Sequence, residues 1–282
     1  MSIDRSALLV GLPGTGKTSY LAILFLAIME ERACSIRLAE FDDDRVYINQ
    51  VSQALIQCRK ANRTETSESS GLGMAIILPS GESARLLIPD YSGETWHAAL
   101  EERSISAELA AQIVDATSVM LFVHVDEFTN DPPIFELNAI ESALDADIAT
   151  ADEPHEMEPE DGTNIESSQV QLIDLLQVVA AFRRASAGRV SIVLSAFDCV
   201  IGQTPSEWIE TSAPLLHQFL VTNKSRLEVD VYGLSAQGGE FGDDAAKDSL
   251  IERDPVERAF MVSANGKQVD FDSPFLRAFD DV

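Results

Sequence analysis

The chain has 282 residues, with 47 Asp and Glu against 20 Lys and Arg, and so a formal net charge of −27 at pH 7. A surface this negative repels phosphate backbones and anionic headgroups, which argues against nucleic-acid binding or membrane binding through a basic patch; any phosphate must be held locally. Hydrophobic residues make up 45 % of the chain, enough for a core rather than a disordered acidic polymer. Cys34, Cys58 and Cys199 are scattered without paired spacing, which speaks against a disulfide framework or a zinc site and for a reduced, cytoplasmic setting. The most apolar stretch, 20–29, is roughly half the length of a membrane span.

In chain order, apolar runs of strand length alternate with segments of helical period, the pattern of an α/β fold. Six strands are expected, at 7–11, 74–78, 85–89, 118–126, 190–195 and 229–234. Helices are expected at 17–32, 44–60, 95–114, 169–184 and 205–221, with a short one at the C-terminus. Pro-Ser-Gly-Glu-Ser between the second and third strands suits a hairpin. Residues 1–282 read as a single domain with an acidic insertion at about 127–167.

Charge is unevenly spread: no Lys or Arg falls between Arg103 and Arg183, and the 79 residues from Ser104 to Phe182 carry 17 acids. Its densest part, Ala151 to Asp161, has two prolines, six acids and no apolar period, as a solvated loop would. It reads either as plain surface or as a docking strip for a basic protein partner, away from the expected phosphate site.

Directly after the first expected strand, Gly11, Pro13, Gly14, Thr15, Gly16, Lys17 and Thr18 satisfy G-x-x-x-x-G-K-[ST], with Ser19 continuing into an apolar helix. Glycines let the backbone curl so that successive N–H groups and the helix N-terminus face a phosphate chain. Lys17 adds a positive charge there, and the Thr18 hydroxyl suits Mg²⁺.

The loop alone looks as much like that of AAA+ ATPases as that of GTPases. Asp126 followed by Glu127 resembles an AAA+ metal-binding Asp with its catalytic Glu. Asp90-Tyr-Ser-Gly93-Glu94 resembles the D-x-x-G motif of GTPases and follows a hairpin strand, as that motif does in Ras-like folds. The GTPase reading accounts for both aspartates. Further on, Ser195-Ala196-Phe197-Asp198 closes an apolar strand and is similar to the guanine-reading N/T-K-x-D motif, departing from it at Ser195 and Ala196. Ser235, Ala236 and Gln237 close the last expected strand and look like the S-A-x loop whose backbone N–H groups meet guanine O6.

With these motifs in order, the chain resembles TRAFAC-type GTPases and, more closely, the bacterial double-GTPase domains of multi-gene conflict, antiphage-type systems. The resemblance is carried by the stretch from Gly11, by IPDYSGETW from Ile88, by Gln169–Gln177, by LSAFD to Asp198 and by the tail from Asp254-Pro-Val-Glu-Arg to Ser273-Pro-Phe-Leu. It implies a Ras-like P-loop NTPase fold, with a mixed, mostly parallel six-stranded sheet and helices on both faces. It also implies GTP or GDP and Mg²⁺ as ligands, and work as a switch with partner proteins.

Under that resemblance Thr18, Thr64 and Asp90 hold the metal, with Thr66 the second choice in the polar segment 61–73. The Gly93 N–H meets the γ-phosphate. Lys17, Thr64 and Glu94 are the catalytic candidates. Glu94 stands where Ras-like enzymes carry a water-orienting Gln, but an acid there also suits the first turn of a helix. Arg63 and Arg103 are possible cis arginine donors; without one, hydrolysis is expected to be slow unless a partner supplies the charge. Two rival readings stay open: an ATPase using Asp126 and Glu127, and a binding module that holds nucleotide without turning it over.

Overall fold

The residues of β1 (Ile3–Val10) show why the sheet is covered on both faces. Ala7 and Leu9 enter one hydrophobic cluster, Leu8 and Val10 the other, and all four are buried, as alternation along a strand with two packed faces requires. The computed structural model describes residues 3–41, 46–59, 70–129, 167–183, 188–239 and 244–277. Thr64, Thr66, Arg63 and the insertion residues 130–166 lie outside the described residues.

The other strands are β2 (Arg37–Phe41), β3 (Ser70–Ile77), β4 (Ser83–Asp90), β5 (Ser118–His124), β6 (Gly188–Ser195), β7 (Leu227–Ser235), β8 (Phe260–Ser263) and β9 (Gln268–Val269). They form one sheet in the order β2-β3-β4-β1-β5-β6-β7-β8-β9. Strands β4, β1, β5, β6 and β7 run parallel. Antiparallel pairs complete both edges. All six expected strands are there, and the expected hairpin is β3–β4. The count of six is corrected to nine among the described residues: β2 is a short strand carrying Arg37 and Glu40, β8 is four residues long and β9 two. Segments this short and polar lack a period of their own and become strands only through pairing with a neighbour.

On one face, α1 (Lys17–Glu30) and α2 (Val46–Ile56) pack over β1, β3 and β4 around Tyr20, Leu24, Ile28, Met74 and Leu86. On the other face lie α3 (Gly93–Glu101), α4 (Ala107–Asp115), α5 (Ser168–Phe182), α6 (Pro205–Ser212) and α7 (Pro214–Thr222), around Trp96, Ile113, Leu176, Trp208 and Leu216. Two single helices of the sequence reading are pairs. The 95–114 helix breaks where Arg103 takes a φ of 49° and the Ser106 side chain accepts from the Leu109 N–H as the cap of a new helix. The 205–221 helix breaks at Pro214, which has no N–H to continue the ladder and instead opens α7.

The C-terminal region holds α8 (Asp244–Ile251), α9 (Pro255–Arg258) and α10 (Ser273–Leu276) rather than one short helix. It is clasped to α1 and β2. The Tyr20 hydroxyl donates to the Phe271 carbonyl at 2.9 Å. Oδ2 of the fully buried Asp272 accepts from the Ser35 and Ile36 N–H groups at 2.7 and 2.8 Å. Burial holds the Asp272 carboxyl above its ordinary range, since those two donors offset only part of the desolvation. Among the described residues no helix is long and apolar enough to cross a membrane.

Candidate functional site

The G-x-x-x-x-G-K-T segment lies where β1 meets α1. Gly16 caps α1 with a φ of 87°, and a Cβ there would stand 3.0 Å from Ser195 Cβ, so both the backbone angle and the space call for glycine. No side chain caps this helix start, and no acid lies in its first turn. In a chain of net charge −27, no acid in that turn competes with an anion for the positive end of the helix dipole. Lys17 is only 5 % exposed, and its ammonium donates to the Gly11 and Leu12 carbonyls at 2.8 and 2.9 Å. The Thr15 hydroxyl donates to Leu12 O at 2.9 Å and tightens the same turn. Pro13 and Gly14 are exposed at its crest, and Thr18 and Ser19 are half-buried.

Asp90 ends β4, which lies parallel to β1, so the D-x-x-G segment leaves the sheet beside the loop. Ser92 caps α3 by accepting from the Thr95 N–H at 3.2 Å. Gly93 is buried against the loop itself. A Cβ on it would fall 2.5 Å from the Leu12 carbonyl carbon and closer still to the Pro13 nitrogen. Only glycine allows this approach, which puts the start of α3 in direct contact with the phosphate loop. Glu94 follows, half-buried in the first turn. Trp96 is fully buried with Tyr91 edge-on at 6.4 Å, and burial raises the Tyr91 hydroxyl above its ordinary range. His97 pairs with Glu101 along the helix at 3.4 Å. Trp96 is core and His97 lies on the outer side of its helix.

At the other end of the site, β6 and β7 run parallel with Ser195 opposite Leu234, bringing 195–198 and 235–237 to the same edge as the loop. This is the carboxyl end of the parallel strands, where open α/β sheets bind ligands. Ser195 is buried, and its hydroxyl donates to Thr15 O at 2.9 Å and to Val123 O at 3.3 Å. The departure from Asn or Thr thus has a physical account: the hydroxyl ties the base-side turn to the phosphate loop. Ala196 adopts a left-handed φ of 54° and starts a 3₁₀ turn, Phe197–Cys199. The Phe197 ring lies over Gly233 of β7, its Cδ1 2.5 Å from where a Cβ would stand. Asp198 follows, half-buried. Ser235 and Ala236 are buried, and the Ser235 hydroxyl accepts from the Gly238 N–H at 3.0 Å, which turns the loop containing Gln237.

One placement corrects the sequence reading. The acidic insertion is not remote from the phosphate site at its base. Thr129 and Ser168, on either side of 130–166, join through the Thr129 N–H to the Ser168 hydroxyl at 3.1 Å and hydroxyl to hydroxyl at 2.9 Å. Glu127 Oε2 lies 3.2 Å from where a Cβ on Gly14 would stand. A cavity of about 90 Å³ sits between these parts, lined by Leu12, Pro13, Phe122, His124, Phe128 and Leu172. Sequence distance concealed this contact. Parallel pairing of β1 with β5 brings it about, since both strands end at the same edge.

A strand, an uncapped glycine loop with its buried lysine, and a D-x-x-G glycine docked on that loop define a Ras-like P-loop nucleotide-binding protein. The family model for Double-GTPase 1 matches residues 8–275, and the chain belongs to that family of GTPases. No curated protein matches the chain in sequence.

Several solved structures are similar. The signal recognition particle receptor SRb-GTP/SRX complex from Chaetomium thermophilum is 16 % identical with a TM-score of 0.43, the match covering 90 % of this chain and 100 % of that one. The mammalian SRP receptor is 14 % identical with a TM-score of 0.38, covering 88 % and 99 %. Translation elongation factor SelB from Methanococcus maripaludis, in its apo form, is 13 % identical with a TM-score of 0.39, covering 92 % of this chain and 35 % of that one.

Proposed function

We propose that this GTPase-family chain binds GTP with Mg²⁺, hydrolyses it slowly by itself, and acts as a cytoplasmic switch read by protein partners, in keeping with the multi-gene conflict systems that the family resemblance implies. Residues 1–282 then form one G domain with the acidic excursion at 127–167. The observation that carries this reading is the seating of Gly93 on Leu12 and Pro13. A γ-phosphate in the loop would lie beside the Gly93 N–H, so its presence or loss would be felt directly at the start of α3.

The donor set suits Mg²⁺. Thr18 in the first turn of α1 and Asp90 at the end of β4 are hard oxygen donors. Among the described residues no group of three or more His, Cys, Asp or Glu side chains could hold a metal by itself. This fits an ion that arrives with phosphate oxygens rather than one bound in a protein cage. When bound, Mg²⁺ supplies charge neutralisation at the phosphates; Thr64 is the further ligand taken from the resemblance. Lys17 supplies the fixed positive charge, already desolvated. Glu94 orients water or, as an acid in the first turn, complements the dipole of α3, and Asp198 with the 235–237 loop reads the base.

The test is steady-state phosphate release from GTP and from ATP, with Lys17→Ala as the control. Turnover of GTP that vanishes in the variant supports the reading. A clear preference for ATP would restore the Asp126 and Glu127 alternative, and tight GTP binding without turnover would leave a non-hydrolysing module. The acidic excursion is the proposed contact for a basic partner, and deleting 151–161 should weaken that association while leaving GTP affinity alone. Unchanged association would make the strip plain solvated surface.

A further inference from the structure

The Asp254-Pro-Val-Glu-Arg segment takes no part in the site described above, yet it builds one of the most buried charges in the protein. Asp254 Oδ1 accepts from the Val256 and Glu257 N–H groups at 2.9 and 3.1 Å, and Pro255 opens the single turn of α9. That turn delivers Arg258, which is 3 % exposed, into the interior. Its guanidinium donates to the Leu55 carbonyl at 2.7 Å and to the Leu250 carbonyl. These are carbonyls in the last turns of α2 and α8, where a cation meets the negative end of the helix dipole and a second lone pair on each oxygen. Burial lowers the Arg258 pKa, with Cys58 and Asp254 acting against the shift, and the group remains a cation.

Two further observations tie this charge to the end of α2 and to the base side of the site. On the α2 side, the Arg59 N–H bonds Ala54 O at 2.8 Å and the Cys58 N–H bonds Leu55 O at 3.1 Å, with Cys58 at a left-handed φ of 47°. This is a Schellman ending with a cysteine where glycine would be less strained. The thiol there is buried and close enough to Arg258 to oppose the lowering of its pKa, while the Cys58 N–H shares the Leu55 carbonyl with the guanidinium. On the base side, a Cβ on Gly238 would fall 2.7 Å from the Arg258 carbonyl carbon and 2.9 Å from its Cβ. The loop 235–238 therefore rests on the backbone of Arg258, and the side chain of that same residue holds the end of α2.

We propose that Arg258 is a positioning residue that sets the 235–238 loop against the end of α2, so that recognition of the base edge read by that loop depends on the hold of Arg258 on the Leu55–Cys58 turn. The proposal rests on the guanine reading of the loop and goes beyond it. It assigns a role to a buried side chain that touches no nucleotide.

The experiment compares GTP with 6-thioguanosine triphosphate, which keeps N1–H and the 2-amino group but replaces O6 with a weaker acceptor. Binding of each is measured for the wild type, Arg258→Lys and Cys58→Ser, well below each protein's melting temperature. Arg258→Lys should lower discrimination between the two nucleotides by about tenfold, the cost of one misplaced hydrogen bond to O6. Cys58→Ser, the milder change, should lower it in the same direction by a smaller factor, and it decides the matter if the arginine variant does not fold. A fall in melting temperature with discrimination at O6 unchanged in the folded variants would overturn the proposal and leave Arg258 a purely structural cation. A wild type indifferent to O6 would overturn the guanine reading along with it, an outcome separable because it appears before any substitution is made.

Discussion

The proposed phosphate end and the proposed base end of the site are built on different plans. At the phosphate end the working parts are backbone groups: a loop shaped by glycine at Gly16, an uncapped helix start, and one buried lysine held by two carbonyls. At the base end the parts are side chains fitted into the core: Ser195 spent on Thr15 O, and Phe197 laid over Gly233. A backbone site needs particular residues at particular spacings, so it matches its motif without departure. A packed side-chain site can change residues as long as the packing closes, so Ser195 and Ala196 depart from the pattern while the turn is kept.

Substitutions can break that contrast from either side. The largest effect is expected for Lys17→Ala, which removes a preorganised charge, and kcat for GTP should fall by about 10²–10³-fold or more, read by phosphate release. Next is Asp198→Asn, predicted to move preference from guanine to xanthine nucleotides and to weaken GTP by about 1.5–3 kcal/mol, measured by calorimetric titration. No change in base preference would remove Asp198 from the base site.

Gly93→Ala should cost about 1–3 kcal/mol through overpacking against Pro13, and should bring GTP and GDP affinities closer together, because α3 could no longer sit on the loop. Ser195→Ala joins the two ends and is expected to cost only about 1 kcal/mol in denaturant unfolding, with a modest loss of affinity for every nucleotide alike.

A control outside both ends is Asp272. Burial raises its folded pKa above the ordinary 3.8. Its contribution to stability is therefore fully present below that value and is lost as pH rises through the folded pKa. Asp272→Asn should flatten this part of the stability–pH curve, measured by denaturant midpoints across the range, without moving nucleotide preference.

Legibility follows the same contrast. The strand, loop and helix start around Gly11–Thr18 could be read directly, because positive backbone angles and an anion cradle leave few residue choices. The hairpin before Asp90 and the five parallel strands were legible from apolar runs. The edge strands β2, β8 and β9 were not, since their pairing partners rather than their own residues make them strands. The breaks at Arg103 and Pro214 carried signals, a Ser cap and a proline, which the apolar period on either side outweighed. The placement of Glu127 beside Gly14 had a signal only in the Asp126-Glu127 pair of the rival ATPase reading, which the GTPase motifs outweighed.

By itself, then, the sequence determined the family, the mixed α/β sheet and the phosphate cradle, because each depends on local backbone geometry or on strand-length apolar runs. Only the tertiary structure decided that Ser195 braces the loop, that Gly93 rests on Pro13, that the neck of the acidic insertion stands at the phosphate end, and that Arg258 lies between the base-side loop and α2. All four are contacts between segments far apart in the chain. They exist because parallel strands end at one edge of the sheet, which brings their loops together whatever their separation in sequence.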